Sequence, residues 1–133
     1  MTKLAVVAVG GNSLIKDEKH KAISDQYAAT VETSVHVAEM LEQGWDVVLT
    51  HGNGPQVGFI LRRSELSMGE LHPVPLDYCG ADTQGAIGYM FQRALRNEFK
   101  KRGIRKWTRR SWRILGRRSL PRRRYRFRIR IRL

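Results

Sequence analysis

Cysteine is nearly absent from this chain: the single Cys79 excludes an intrachain disulfide framework and fits a reducing, cytoplasmic compartment. No apolar run is long enough to cross a bilayer, and no signal-peptide pattern opens the sequence. His20, His36 and His72 show none of the spacings that hold a metal, and no Gly-x-Ser-x-Gly elbow or Cys–His arrangement argues for acyl transfer. No internal repeat is present. Acid is missing from one end only. All 12 Asp and Glu fall within residues 1–104, which carry 11 Lys and Arg, whereas residues 105–133 hold 14 Lys and Arg and no acid. The formal charge of +13 therefore belongs to the tail, and the rest of the chain is nearly neutral. Only residues 1–104 have the mixed apolar and charged make-up of a packed domain.

What that domain does have is glycine at two telling places. Gly10-Gly11-Asn12 follows the apolar run Leu4-Ala5-Val6-Val7-Ala8-Val9, and Gly52-Asn53-Gly54-Pro55-Gln56-Val57-Gly58 follows a second apolar run and opens a helix. Glycine lets backbone approach a bound anion, and the free N–H groups at a helix start favour negative charge. If residues 4–9 and 46–50 are parallel strands joined by a crossover helix, both turns emerge at neighbouring carboxyl ends, where open α/β sheets bind ligands. The crossover helix is expected from Tyr27, Val31, Val35 and Ala38, between a Ser24 cap and a stop at Gly44. A second helix is expected from Pro55, with Val57, Ile60 and Leu61 as its apolar stripe and Gly69 beyond its end. A third is expected from near Asp82 or Thr83, with the stripe Ile87, Met90, Phe91, Ala94, Leu95 and Phe99 and a stop at Gly103.

Several of these residues carry two readings. Gly10, Gly11, Gly52 and Gly54 serve either tight turns alone or an anion site, and their pairing favours the site. Asn12 and Asn53 read equally as turn or cap residues and as ligand contacts, with Asn53 placed for both. His51, at a strand end without an evident partner, reads as structural. Arg62 and Arg63 read as a solvated face. Asp77 and Asp82 suit a polar network near the site, although capping the third helix accounts for Asp82 more simply. A dinucleotide-binding reading of Gly52-x-Gly54-x-x-x-Gly58 is weaker, because the glycine spacing departs from the fingerprint and no acid ends a following strand about twenty residues on.

Taken together, Val9-Gly10-Gly11-Asn12-Ser13-Leu14, Thr50-His51-Gly52-Asn53-Gly54-Pro55-Gln56-Val57-Gly58, and Leu76-Asp77 with Gly80-Ala81 and Thr83-Gln84-Gly85-Ala86-Ile87-Gly88-Tyr89 resemble the amino-terminal half of carbamate kinase, an amino-acid kinase family. The resemblance covers about residues 3–104. It implies an incomplete three-layer α/β/α sandwich with a parallel-strand core, a cytoplasmic homodimer, and reversible phosphoryl transfer between ATP and carbamate, run from carbamoyl phosphate and MgADP. Gly10, Gly11 and Asn12 are expected to face the transferring phosphoryl group, with Gly52, Asn53 and Gly54 lining the carbamoyl side. The family is more than twice this length and keeps most of its nucleotide site, including the lysines that neutralise the phosphoryl group, in the other half. The chain is therefore expected to be truncated and inactive by itself, with retention of ATP, ADP and Mg²⁺ in doubt and no catalytic residue assigned.

Residues 105–133 are expected to be an Arg-rich tail, disordered or produced by a shifted reading frame, since a frame shift in a GC-rich gene yields arginine in excess. The alternative is a basic nucleic-acid-binding arm, in which Tyr125, Phe127, Ile129 and Ile131 alternate with Arg126, Arg128, Arg130 and Arg132. Counterion release gives such a segment nonspecific attraction to any polyanion or anionic membrane surface. A peptide of residues 105–133 should bind unrelated DNA, RNA and heparin alike, and rising salt should weaken all three together in fluorescence anisotropy. A preference for one sequence that persists at high salt would favour the binding arm.

Overall fold

The computed structural model describes residues 3–104 together with the backbone of residues 128–129. Strand β1 (Lys3–Val9) leads through a 3-10 turn (Gly11–Leu14) into helix α1 (Ile23–Glu42), which crosses to strand β2 (Trp45–His51). Helices α2 (Gly54–Leu66) and α3 (Leu76–Lys101) follow. The two strands pair in parallel over their whole length, from Lys3 opposite Trp45 to Val9 opposite His51. This is the crossover topology expected from the two apolar runs. A two-residue strand β3 (Arg128–Ile129) lies parallel on the other edge of β2, opposite Val48 and Leu49. The remainder of the basic tail, and the disordered or frame-shifted reading attached to it, falls outside the described residues.

Alternation along the strands sends Val9, Val47 and Leu49 into a core with Val37 and Ala38 of α1 and Ile87, Phe91, Leu95 and Phe99 of α3. All six residues of the expected α3 stripe are buried. The opposite sheet face is bare among the described residues: Leu4 is 64 % and Val6 67 % exposed. One helical layer and the sheet are thus described, an incomplete α/β arrangement, since parallel sheets normally have both faces covered.

Other helical details depart from expectation for physical reasons. The buried residues of α1 are Gln26, Ala29, Thr30, Ser34, Val37 and Ala38; of the expected stripe Ala38 is buried and Tyr27 packs half-buried against the core, but Val31 is exposed, so the buried face is turned from Val31 and Val35 towards Thr30 and Ser34. That is one residue, or about 100°, around the helix. Small hydroxyls can take this face because each donates to its own helix: Thr30 Oγ1 to the Gln26 carbonyl at 2.8 Å and Ser34 Oγ to the Thr30 carbonyl at 2.7 Å. Tyr27 lies at the rim under the Arg93 guanidinium, 4.6 Å from its ring centroid. Ser24 does not cap α1; the Asp25 carboxylate accepts the Ala22 N–H at 3.0 Å. In α2 the buried residues are Gln56 and Ser64, whereas Val57, Ile60 and Leu61 are only half-buried. Helix α3 begins at Leu76, so Asp82 lies exposed within the helix and caps nothing, and Asp77 occupies the first turn, where an acid suits the dipole.

The far ends of α1 and α3 are held by one side chain. Arg102 donates to Glu98 at 2.6 Å and to Glu42 at 2.7 Å, with Glu39 3.5 Å away. Glu98 is buried, so removing its partner leaves a carboxylate with little access to water. Arg102→Ala should lower the melting temperature clearly more than Lys16→Ala, which breaks an exposed pair with Glu32. Equal small shifts in circular dichroism melts would remove Arg102 from the structural account.

Candidate functional site

The parallel register puts Val9 and His51 side by side, and the chain turns away from the sheet immediately after each. A hydrogen bond from Gly52 N–H to the Val9 carbonyl at 2.8 Å carries the pairing one residue into the second turn. The first turn closes through Ser13 N–H to the Gly10 carbonyl at 3.0 Å and Ile15 N–H to the Asn12 carbonyl at 3.1 Å. The two turns touch. A side chain at Gly52 would put its Cβ 3.0 Å from the Gly11 nitrogen, and one at Gly11 would meet Pro55 Cδ at 3.0 Å and the Asn53 nitrogen at 3.1 Å. Glycine at these two positions is therefore required by the contact of backbone with backbone.

The six expected site residues consequently stand together at one end of the sheet, with differing surroundings. Gly10 is exposed, and a Cβ there would lie 3.3 Å from Ser13 Oγ. A Cβ at Gly54 would meet nothing within 4 Å, so that face of the second turn is open. Asn12 is exposed and borders an open cleft of about 480 Å³ shared with Ile15, Asp17, Glu18, Lys21, Pro55 and Phe59. Asn53 takes the N-cap position of α2 and its carbonyl accepts the Val57 N–H at 2.9 Å, yet its side chain does not cap. The amide instead donates to Thr83 Oγ1 at 2.8 Å, and Thr83 in turn donates to the Gly80 carbonyl. That bond ties the second turn to α3. The first N–H groups of α2 have no acceptor within the helix, which leaves donors at the site.

Charge is distributed sparingly around the turns. Lys16 Nζ is paired with Glu32 at 2.6 Å and Lys21 Nζ with Glu18, whereas Lys19, between them, is exposed and has no ion pair among the described residues. Arg62 pairs with Glu65 on an exposed face and Arg63 is exposed, in keeping with a solvated role. His51 is buried, 7 % exposed, and its Nδ1–H donates to the Gly52 carbonyl at 3.1 Å. Its Nε2 is buried and unpaired among the described residues. Burial holds the imidazole below the usual histidine range, against the smaller opposing effect of the Gly52 carbonyl.

Sequence reasoning missed the buried polar side chains that brace the turns, chiefly Gln26, Gln56 and Thr83. Gln56 and Thr83 stand within the quoted motifs but were given no bracing role there, and Gln26 offers no signal beyond polarity within a helix.

Two outcomes follow from this packing. Gly11→Ala and Gly52→Ala should each cost about 1–3 kcal/mol in urea denaturation, because backbone must move aside, whereas Gly54→Ala should be near neutral. For His51 the folded pKa lies below the unfolded one, so the unfolded state binds the extra proton. Stability should be full above about pH 6.5 and fall as pH drops below it. His51→Gln should flatten that dependence between pH 5 and 6.5, and an unchanged slope would contradict the assignment.

No protein-family model matches the chain. Relatives are nevertheless clear. The carbamate kinase-like protein YahI of Escherichia coli is 49 % identical over 108 residues, and the carbamate kinase of Pyrococcus horikoshii 46 % over 110, each covering 80 % of this chain and 34 % of the relative. The structure of carbamate kinase from Giardia lamblia bound to AMP-PNP matches with a TM-score of 0.72 at 35 % identity, over 76 % of this chain and 35 % of that one. The chain thus spans about a third of the length of the relatives it matches.

Proposed function

We propose, from the premise that this chain carries the amino-terminal portion of a carbamate kinase, that its two glycine turns hold the carbamoyl phosphate end of a reversible phosphoryl transfer between carbamate and ATP. The observation that carries this reading is the contact between Gly11 and Gly52, which makes the two turns one surface. Gly10, Gly11 and Asn12 present backbone donors to the phosphoryl oxygens. Gly52, Asn53 and Gly54 line the carbamoyl side, where Gly54 leaves room for close approach. Phosphoryl transfer needs positioning and neutralisation of charge more than covalent help. The described residues supply positioning. Lys16 and Lys21 are paired with carboxylates, and on this reading the lysines that neutralise the phosphoryl group come from the family's carboxyl half.

ATP and ADP enter as substrates on this reading, and Mg²⁺ accompanies them in the family. Among the described residues no three His, Cys, Asp or Glu side chains converge as a metal site, so no step is assigned to the ion here. No helix among them is long and apolar enough to cross a membrane. A homodimer and a cytoplasmic location fit the reading, as does nonspecific polyanion binding by the basic segment at residues 105–133.

A polypeptide of these 133 residues should form no ATP from carbamoyl phosphate and ADP in a luciferase-coupled assay. Joining residues 1–104 to the corresponding carboxyl portion of a carbamate kinase should restore turnover. In that fusion Gly54→Val should lower kcat/KM for carbamoyl phosphate at least tenfold without lowering the melting temperature, because the new side chain meets ligand rather than protein. Normal kinetics in the folded variant would remove the second turn from the site.

A further inference from the structure

We infer that Gln56 is a positioning residue, whose side chain fixes the first glycine turn against the second; the inference rests on the proposed function of those turns. Gln56 is 7 % exposed, and its carboxamide is held from several sides. Nε2 donates to the Gly11 carbonyl at 3.2 Å and to Gln26 Oε1 at 3.2 Å. Gln26, itself buried, spends its own amide on the Lys21 carbonyl at 3.0 Å. The relay runs from the segment before α1, through α1 and α2, to the backbone of the first turn.

The other end of the carboxamide explains why the relay has one sense only. Gln56 Oε1 is buried and lacks an N–H or O–H partner among the described residues, and it lies 3.1 Å from where a Gly11 Cβ would be. Turning the amide over would set this oxygen against two other acceptors, the Gly11 carbonyl and Gln26 Oε1, so the orientation is fixed by its partners. An unpaired buried acceptor is costly. Here it lies on the side of Gly11 where a side chain would project, so the carboxamide touches that one residue at two places, its carbonyl through Nε2 and its Cα side through Oε1. Gly11 is then gripped by Gln56 from α2 and packed against Gly52 from the end of β2. Its backbone amide, one of the donors proposed to meet phosphoryl oxygens, is set by both.

The test separates this grip from space filling. In the 133-residue chain, Gln56→Met conserves length and burial but removes both polar atoms. Amide exchange at Ser13 and Gly52 should quicken at least tenfold relative to wild type, while Phe91 in the core of α3 changes less than threefold. The Kd for inorganic phosphate should rise about tenfold. Unchanged exchange at both turns and an unchanged Kd would show that Gln56 only fills space. A second reading needs no variant: in wild type the Gln56 side-chain amide protons should exchange slowly and show nuclear Overhauser contacts to Gly11 and Gln26. Rapid exchange without those contacts would overturn the inference. Should wild type bind no phosphate, the reading of the site falls, while the exchange data still judge Gln56.

Discussion

Everything at the candidate site depends on the parallel pairing of β1 with β2 in a register that ends at Val9 and His51. A shift by one residue would reverse the side-chain faces of one strand, sending Leu4 and Val6 toward α1 and α3 and turning Val9 out. It would also separate the glycine turns by a strand step. The register thus fixes the core and the site with the same bonds, and the Gly52 N–H to the Val9 carbonyl extends the ladder to where the chain leaves the sheet. Contact between turns is what makes one surface, proposed above to bind an anion, from two ordinary strand-to-helix connections.

Buried polar groups then hold this contact in place. Asn53 reaches Thr83 on α3, and Gln56 reaches Gly11 and Gln26, so each turn is tied to a helix that packs in the core. Such bonds contribute about 1 kcal/mol each, but their loss leaves buried groups unsatisfied, which costs more. The opposite sheet face offers no comparable support among the described residues, where Leu4 and Val6 stand in solvent. That bare face agrees with a chain spanning about a third of the length of its carbamate kinase relatives.

Much of this was legible in the sequence because it depends on local chemistry. The apolar runs marked both strands, glycines at 44 and 103 marked helix ends where φ is positive, and the α3 stripe marked the core. The six turn residues were found from glycine and asparagine after each strand. The face of α1 was legible at Ala38 but misread at Val31 and Val35, because Thr30 and Ser34 satisfy their hydroxyls on their own helix and so bury like small apolar residues. The start of α3 was misread because Asp82 looks like a cap only until Leu76 is known to open the helix. Long-range ties such as Gln56 to Gly11 leave no trace in spacing, since 45 residues separate the partners.

The central claim is that the two turns form one surface before any ligand arrives. It is tested most directly by nuclear Overhauser contacts in the unliganded 133-residue chain, between the Gly11 amide proton and the Gly52 α protons. A strong cross-peak is predicted, because a Cβ at Gly52 would lie 3.0 Å from the Gly11 nitrogen. A folded chain with Gly11 and Gly52 assigned and no such cross-peak would place the turns apart and contradict the account.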